Sequence, residues 1–270
     1  MKVVLFCGGL GVRLREHSDS APKPMVHIGT RPILWHIMKY YAHFGHNDFV
    51  LCLGYKANVV KDYFLHYSEA VSNDFVLTNG GRGVELLSCD IDDWRITFAD
   101  TGLHANIGER LVAVQKYLGD DAMFLATYGD CLTDAPLDRL VADFSRRSAV
   151  ASFLSVSPPY PCHFISQRDD GEVTAFASVE QSCLSINGGY FILRRSMFDY
   201  IQPGEELVLA PFRRLIQDRR LITYPYGGFW APMDTLRERQ RLEELAESGD
   251  PPWAVWRNRP EPVTVSGRVA

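Results

Sequence analysis

Short apolar runs and amphipathic stretches alternate along the first half of the chain. Lys2 to Cys7 (KVVLFC) is apolar after its first residue, the pattern of a strand buried on both faces. Pro32 to Phe44 (PILWHIMKYYAHF) repeats apolar positions at helical spacing, opens on proline and is followed by Gly45, which predicts a helix. Asp48 to Leu53 predicts the next strand and Ala57 to His66 the next helix. This alternation signals a parallel sheet wrapped on both faces. From Asn73 to Asp100 the rhythm changes to short strands broken by Gly and Asp, predicting a hairpin excursion that includes FVLTNGGRGVELL and WRITFAD. A helix over 108–118 and a buried strand over 122–127 follow, the strand ending in YGDCLTD. After Ala149 strands dominate (VASFLSV, HFISQ, EVTAF, SINGGYFIL), and helices near 206–218 and 234–247 flank the strand LITYPY. The expected organisation is one mixed α/β domain over 1–250. A Pro-rich tail over 251–270 (Pro251, Pro252, Pro260, Pro262) would wrap or fray.

Composition narrows the function classes. At 270 residues and 46% hydrophobic, the chain can bury a substantial core. A net charge of -5 offers no electrostatic footprint for nucleic acid or an anionic membrane, so neither is an expected partner, and an anionic ligand would need a local basic pocket. No apolar stretch reaches the roughly 20 residues of a membrane span. Met1-Lys2 leads straight into a strand with no signal-peptide pattern, so a cytoplasmic protein is expected. The six cysteines (Cys7, Cys52, Cys89, Cys131, Cys162, Cys183) are scattered singly, without a CxxC pair or a partner at metal-ligand spacing, and read as reduced thiols.

The candidate chemistry starts at GGLGVRL, Gly8 to Leu14, where the first strand ends and where parallel sheets bind ligands. A dinucleotide fingerprint would need a third glycine where Leu14 stands, and a P-loop would need Gly-Lys-Ser/Thr. What remains is a loop whose bare amides can wrap an anion, with the Arg13 fork and the point charge of Lys23 nearby in sequence. A tight turn beside a solvated arginine is the competing reading.

GGLGVRL followed by PKPMVHIGTRPILWHIM resembles the signature of sugar-1-phosphate nucleotidylyltransferases, and within them the glucose-1-phosphate cytidylyltransferase group. DFVLCLGYKANVVKDYF, ADTGLHANIGERL, FLATYGDCLTD, SINGGYFIL and GFWAPMDTLRERQRLEEL resemble that group's blocks in the same order. The resemblance implies a Rossmann-like, mainly parallel sheet with helices on both faces and added β elements around a sugar site. It implies transfer of a nucleotidyl group from a nucleoside triphosphate, with cytosine the expected base, to a sugar-1-phosphate, with Mg²⁺ as cofactor and a homo-oligomer as the working form. By the same resemblance Gly8, Gly9, Leu10, Gly11 and Val12 line the nucleotide site together with Thr101, Gly102, Arg110 and Gly129. Arg13 and Lys23 gather phosphates and, with Asp130, carry catalysis. Asp130 and Asp234 hold the metal, and Tyr128, Asn187, Gly188 and Gly189 lie beside the acceptor. Judged without the resemblance, Asp234 reads as a cap on the last helix, and Arg110 reads equally well as an exposed helical arginine or a site residue. Trp35, Tyr40, Tyr41 and Phe44 read as core packing.

The chain also departs from the family pattern. Val12 replaces the usual Thr or Ser and removes a hydroxyl donor, and Ala21 stands where the first lysine of a doubled Lys-Pro is expected. The Glu-Lys-Pro element before Asn-Gly-Gly is replaced by FASVEQSCLSINGG, with no lysine between Phe176 and Asn187, and Val179 falls in this run. A Glu-Pro-Leu element becomes Ala210-Pro211-Phe212. Losing a charge-assisted contact costs about 1.5 to 3 kcal/mol, so glucose-1-phosphate is expected to be a poor acceptor unless another cation, such as Arg168, reaches the site. Three alternatives stay open: a uracil or thymine base, a different acceptor, and a nucleotide-binding regulatory paralogue without turnover.

Overall fold

The computed structural model describes residues 1–9, 21–159, 163–178 and 184–258. Leu10, Gly11, Val12 and Arg13 lie outside the described residues, as do Cys162, Val179, Cys183 and the prolines at 260 and 262. The first half of the chain runs β1 (Lys2–Phe6), the short hairpin β2 (His27–Ile28) and β3 (Arg31–Pro32), α1 (Ile33–His43), β4 (Asp48–Leu53) and α2 (Ala57–Leu65). It continues with the hairpin β5 (Phe75–Thr78) and β6 (Gly83–Leu86), then β7 (Arg95–Asp100), α3 (Ile107–Val114) and β8 (Met123–Tyr128). The second half holds β9 (Cys131–Thr133), α4 (Leu137–Arg146), β10 (Ala151–Val156) and the hairpin β11 (His163–Gln167) and β12 (Val173–Ser178). It ends with β13 (Ile186–Arg194), α5 (Ala210–Gln217), β14 (Leu221–Tyr226), β15 (Trp230–Pro232) and α6 (Leu236–Glu247).

Seven strands form the central sheet in the order β14-β10-β13-β8-β1-β4-β7. Strand β13 runs antiparallel to both of its neighbours, and the other pairings are parallel. Alternate residues of one strand enter separate clusters: Val3 and Leu5 pack with α1, while Val4 and Phe6 pack with Leu111 and Val114 of α3. Both faces are therefore covered, as uninterrupted apolar strands require. Each fully buried Leu, Val or Ile contributes about 1.5 to 3 kcal/mol. Trp35, Tyr40 and Tyr41 are core residues, as expected, and Phe44 is partly buried against the same cluster.

The path through the sheet creates the ligand crevice. From β1 the chain steps to β4 and β7 on one side, then returns to β8 on the other side of β1. Such a reversal leaves an open crevice at the carboxyl ends of the two strands, here β1 and β8.

Two differences from the sequence expectation have physical causes. WRITFAD belongs to the central sheet: β7 pairs in parallel with β4, Asp48 opposite Arg95, and the hairpin contains β5 and β6 alone. As an edge strand it is half exposed, and so alternates like a hairpin strand. Helix α4 is an added element, set by Leu137, Leu140 and Phe144 buried on one face. Of the tail, the described residues 251–258 wrap onto α1, one of the two expected outcomes, and Trp253 is 1% exposed within the main core cluster. No helix among the described residues is long and apolar enough to cross a membrane. Cys7, Cys52, Cys89 and Cys131 are free thiols.

Candidate active site

A short ladder brings together two carboxylates distant in sequence. Strand β8 ends at a turn of Gly129 and Asp130, and β9 begins at once. Strands β9 and β15 pair antiparallel with Cys131 opposite Pro232, and the Met233 amide donates to the Asp130 carbonyl at 2.9 Å. Asp130 before one strand and Asp234 after the other therefore meet at the same end of the ladder. Gly129 permits the approach: a Cβ there would lie 3.1 Å from both the Phe6 carbonyl oxygen and the Pro24 ring.

Lys23 completes the cluster from a helical turn over Lys23–Met25, with prolines on both sides of the lysine. Its ammonium donates to Asp130 Oδ2 at 2.5 Å and to Asp234 Oδ1 at 2.5 Å. The side chain is 13% exposed, and burial alone would lower its pKa, but the two carboxylates more than offset this and hold it above the usual lysine value. The Cys131 thiol donates to the second oxygen of Asp130 at 3.3 Å. Burial and the neighbouring Asp130 push that thiol well up, so it stays neutral and serves as a donor.

Asp234 is not the helix cap. Thr235 caps α6 by accepting from the Glu238 amide at 3.3 Å, and the Glu238 carboxylate accepts from the amides of Thr235 and Asp234. The Asp234 carboxylate points to Lys23 instead.

On the other side of the crevice, Gly8 and Gly9 follow β1. Arg110 of α3 is 3% exposed, not a surface arginine. Its guanidinium donates to the carbonyls of Gly8 at 3.0 Å and Leu53 at 3.2 Å and to Thr101 Oγ1 at 2.7 Å, tying together the loops after β1, β4 and β7. Thr101 passes its own proton to the Leu53 carbonyl at 2.8 Å. The loops are so close that a Cβ on Gly54 would lie 2.8 Å from the Gly102 carbonyl oxygen, and Gly102 itself has φ +92°. Burial lowers the Arg110 pKa, which nearby thiols and carboxylates partly restore. A cleft of about 220 Å³ opens between Gly8, Gly9, Arg110, Tyr128, Gly129 and Asp130.

Glu206 also lines this cleft, accepting from the Ile107 amide at 3.2 Å. The sequence reading did not single it out, because nothing in PGEEL separates it from an exposed acid ahead of a helix.

The expected acceptor residues Asn187, Gly188 and Gly189 gather around Tyr128, which itself lines the cleft. Asn187 donates to the Tyr128 hydroxyl at 3.4 Å and accepts from the Gly189 amide at 2.9 Å. Gly189 has φ +78°, and a Cβ there would stand 2.5 Å from the Tyr128 ring, so the backbone needs glycine to pass beneath it. Trp230 donates to the Gly188 carbonyl at 2.8 Å and thereby ties β15, which delivers Asp234, to β13. Burial raises the Tyr128 pKa, keeping its hydroxyl protonated. Arg168 stays in the exposed turn between β11 and β12, paired with Glu172. The structure thus groups Gly8, Gly9, Lys23, Thr101, Arg110, Tyr128, Gly129, Asp130, Asn187, Gly189 and Asp234 around the crevice, while Leu10 to Arg13 fall outside the described residues.

The residues present suit a magnesium ion. Asp130 and Asp234 offer hard carboxylate oxygens that already share one cation, and magnesium binds through one or two carboxylates plus waters and phosphates. Among the described residues there is no cluster of three or more His, Cys, Asp or Glu that could hold a metal.

Comparison with known proteins identifies the family of the chain. A family model described as Nucleotidyl transferase matches residues 2–210. Glucose-1-phosphate cytidylyltransferase of Salmonella typhimurium is 38% identical over 258 residues, covering 95% of this chain and all of that protein. The enzyme of the same name from Salmonella typhi is similar to the same extent. Among solved structures, a UDP-glucose pyrophosphorylase complexed with UDP-glucose shares the fold, with TM-score 0.67 and 14% identity over 92% of this chain and 99% of that one. With the family model spanning most of the chain and the cytidylyltransferases matching it end to end, the chain belongs to the nucleotidyl transferase family.

Proposed function

We propose that this chain is a magnesium-dependent cytidylyltransferase of the cytoplasm that joins CTP to a sugar-1-phosphate and releases pyrophosphate. The observation that carries the reading is the cluster of Lys23, Asp130 and Asp234 at the ends of β1 and β8 beside the Gly8-Gly9 turn. The match to glucose-1-phosphate cytidylyltransferases supports the choice of base.

In the reaction a phosphate oxygen of the sugar-1-phosphate attacks the α-phosphorus of CTP. The new phosphorus–oxygen bond forms as the bond to the β-bridging oxygen breaks, and pyrophosphate leaves with that electron pair. One anion must approach another, so positioning and charge neutralisation carry the catalysis. The amides of Gly8 and Gly9 would receive phosphate oxygens, in a loop whose backbone Arg110 holds in place. Tyr128, Asn187 and Gly189 would seat the acceptor. Lys23, with Arg13, would draw the triphosphate in and stabilise charge on the leaving pyrophosphate. Magnesium, held by Asp130 and Asp234, would neutralise phosphate charge.

Phe75, Leu77, Ile165 and Phe176, exposed on the two hairpins, support a homo-oligomer, which light scattering on the eluting protein would test. The reaction itself is tested by pyrophosphate release across the four nucleoside triphosphates and a panel of sugar-1-phosphates. CTP is expected to give the highest rate, and no release with any pair would point to a binding protein without turnover. The missing lysine between Phe176 and Asn187 favours an acceptor other than glucose-1-phosphate. A kcat/KM of about 10⁴ M⁻¹s⁻¹ or above with glucose-1-phosphate would retire that second reading.

A further inference from the structure

We propose that Lys23 is an internal counter-ion which the metal must displace, so that the carboxylate pair takes up its divalent cation together with the triphosphate and resists it beforehand. The proposal rests on reading Asp130 and Asp234 as the metal-binding carboxylates.

The distances carry it. The Lys23 ammonium lies 2.5 Å from an oxygen of each carboxylate and so bridges the two. Magnesium held by this carboxylate pair would draw on the same oxygens that the ammonium now contacts. Two cations in contact with the same oxygens repel each other, so binding the metal there requires the lysine to leave. While the lysine stays, it cancels one of the two negative charges that would attract a metal.

The lysine has somewhere to go. Its flexible four-carbon stem springs from the turn that packs against Gly129, and the Gly8-Gly9 cleft adjoins Asp130 on the same side. A triphosphate on that loop offers the ammonium new anionic partners and leaves both carboxylates to the incoming ion. Nucleotide and metal thus favour each other through a single side chain that moves from one anion to another. Before nucleotide arrives, the same lysine holds together two like charges that would otherwise repel.

The test titrates Mn²⁺ into the full chain without nucleotide and follows free Mn²⁺ by electron paramagnetic resonance. Lys23→Met should bind Mn²⁺ about tenfold or more tightly than wild type, and Lys23→Arg, which keeps the charge, should bind as weakly as wild type. The double variant Asp130→Asn with Asp234→Asn should bind more weakly than any of them. Lys23→Gln serves the same comparison if Lys23→Met does not fold, as judged by circular dichroism. Unchanged or weaker Mn²⁺ binding by the uncharged Lys23 variants, with the carboxylate double variant weaker still, overturns the counter-ion role and leaves the metal reading standing. Mn²⁺ binding by the carboxylate double variant as tight as that of Lys23→Met overturns both.

Discussion

Lys23 and Arg31 leave the same short stretch of chain, and both end among acidic groups, yet their surroundings differ in kind. Lys23 is held by two carboxylates, with a glycine-lined cleft alongside. Arg31, with a side chain 4% exposed, donates to Ser72 Oγ at 3.0 Å, the Tyr63 hydroxyl at 3.2 Å and the Ser68 carbonyl at 2.8 Å. It also lies 4.2 Å over the Tyr67 ring and 3.9 Å from Asp90. Asp90 is in turn occupied by Lys39 at 3.0 Å and by the hydroxyls of Tyr67 and Ser72. Rings, neutral acceptors and an Asp90 already shared with Lys39 make Arg31 an anchor that fastens the segment around Ser72 and Asp90 to α1. A cation whose charge is met by two carboxylates at the edge of a cleft can instead exchange its partners. Size does not identify the site: the cleft beside Arg31, at about 1010 Å³, is far larger than the one beside Asp130.

The comparison breaks most readily at Asp130. Asp130→Asn keeps shape and removes charge, so kcat at saturating magnesium should fall by about 10³-fold while the thermal midpoint stays close to wild type. Steady-state kinetics and calorimetry on the same preparation check both halves. At the anchor the result should invert. Arg31→Met leaves Asp90 with Lys39, Tyr67 and Ser72 but removes the donors to Ser72, Tyr63 and the Ser68 carbonyl, and should cost about 1 to 3 kcal/mol in urea unfolding, leaving the turnover of the folded fraction nearly unchanged.

Acid sharpens the same contrast. His36 of α1 donates from Nε2 to the Ile28 carbonyl at 2.9 Å and accepts at Nδ1 from Trp253 at 3.3 Å, so it is buried neutral. Burial lowers its pKa from 6.5 to about 4. The unfolded chain takes up the proton first, so this contribution is complete above about pH 6.5, declines as pH falls towards 4 and is gone below. Its full size is about 3 kcal/mol. Urea midpoints at pH 7 and pH 4.5 should differ accordingly, and His36→Gln should flatten the difference. The smallest effect belongs to Cys131→Ala, which removes a weak donor to Asp130 and should lower kcat by about twofold while raising the magnesium needed for half-maximal rate. An unchanged magnesium requirement would assign Cys131 to packing alone.

What the sequence made legible follows the same division. KVVLFC and DFVLCL are apolar after their first residues because both sheet faces are covered, so β1 and β4 could be read directly. The edge strand β7 misled because half-exposed strands alternate whatever sheet they join. Asp130 and Asp234 were identified by resemblance, but their meeting depends on the register of two three-residue strands, Cys131 opposite Pro232, which no local pattern encodes. Local pattern left Arg110 evenly divided between the site and an exposed helix face, because its burial depends on carbonyl and hydroxyl acceptors at the ends of other strands. Glu206 was missed for a related reason: its neighbours in the cleft come from β8 and the start of α3.

The most direct test of the account follows labelled α-phosphate from CTP, with a sugar-1-phosphate acceptor and magnesium, in the wild-type chain and in the double variant Asp130→Asn with Asp234→Asn. The wild type should move the label into a sugar-linked product with one pyrophosphate released per transfer, and the folded double variant should move essentially none. Equal transfer by the double variant, or label appearing as free CMP in place of a sugar conjugate, would contradict it.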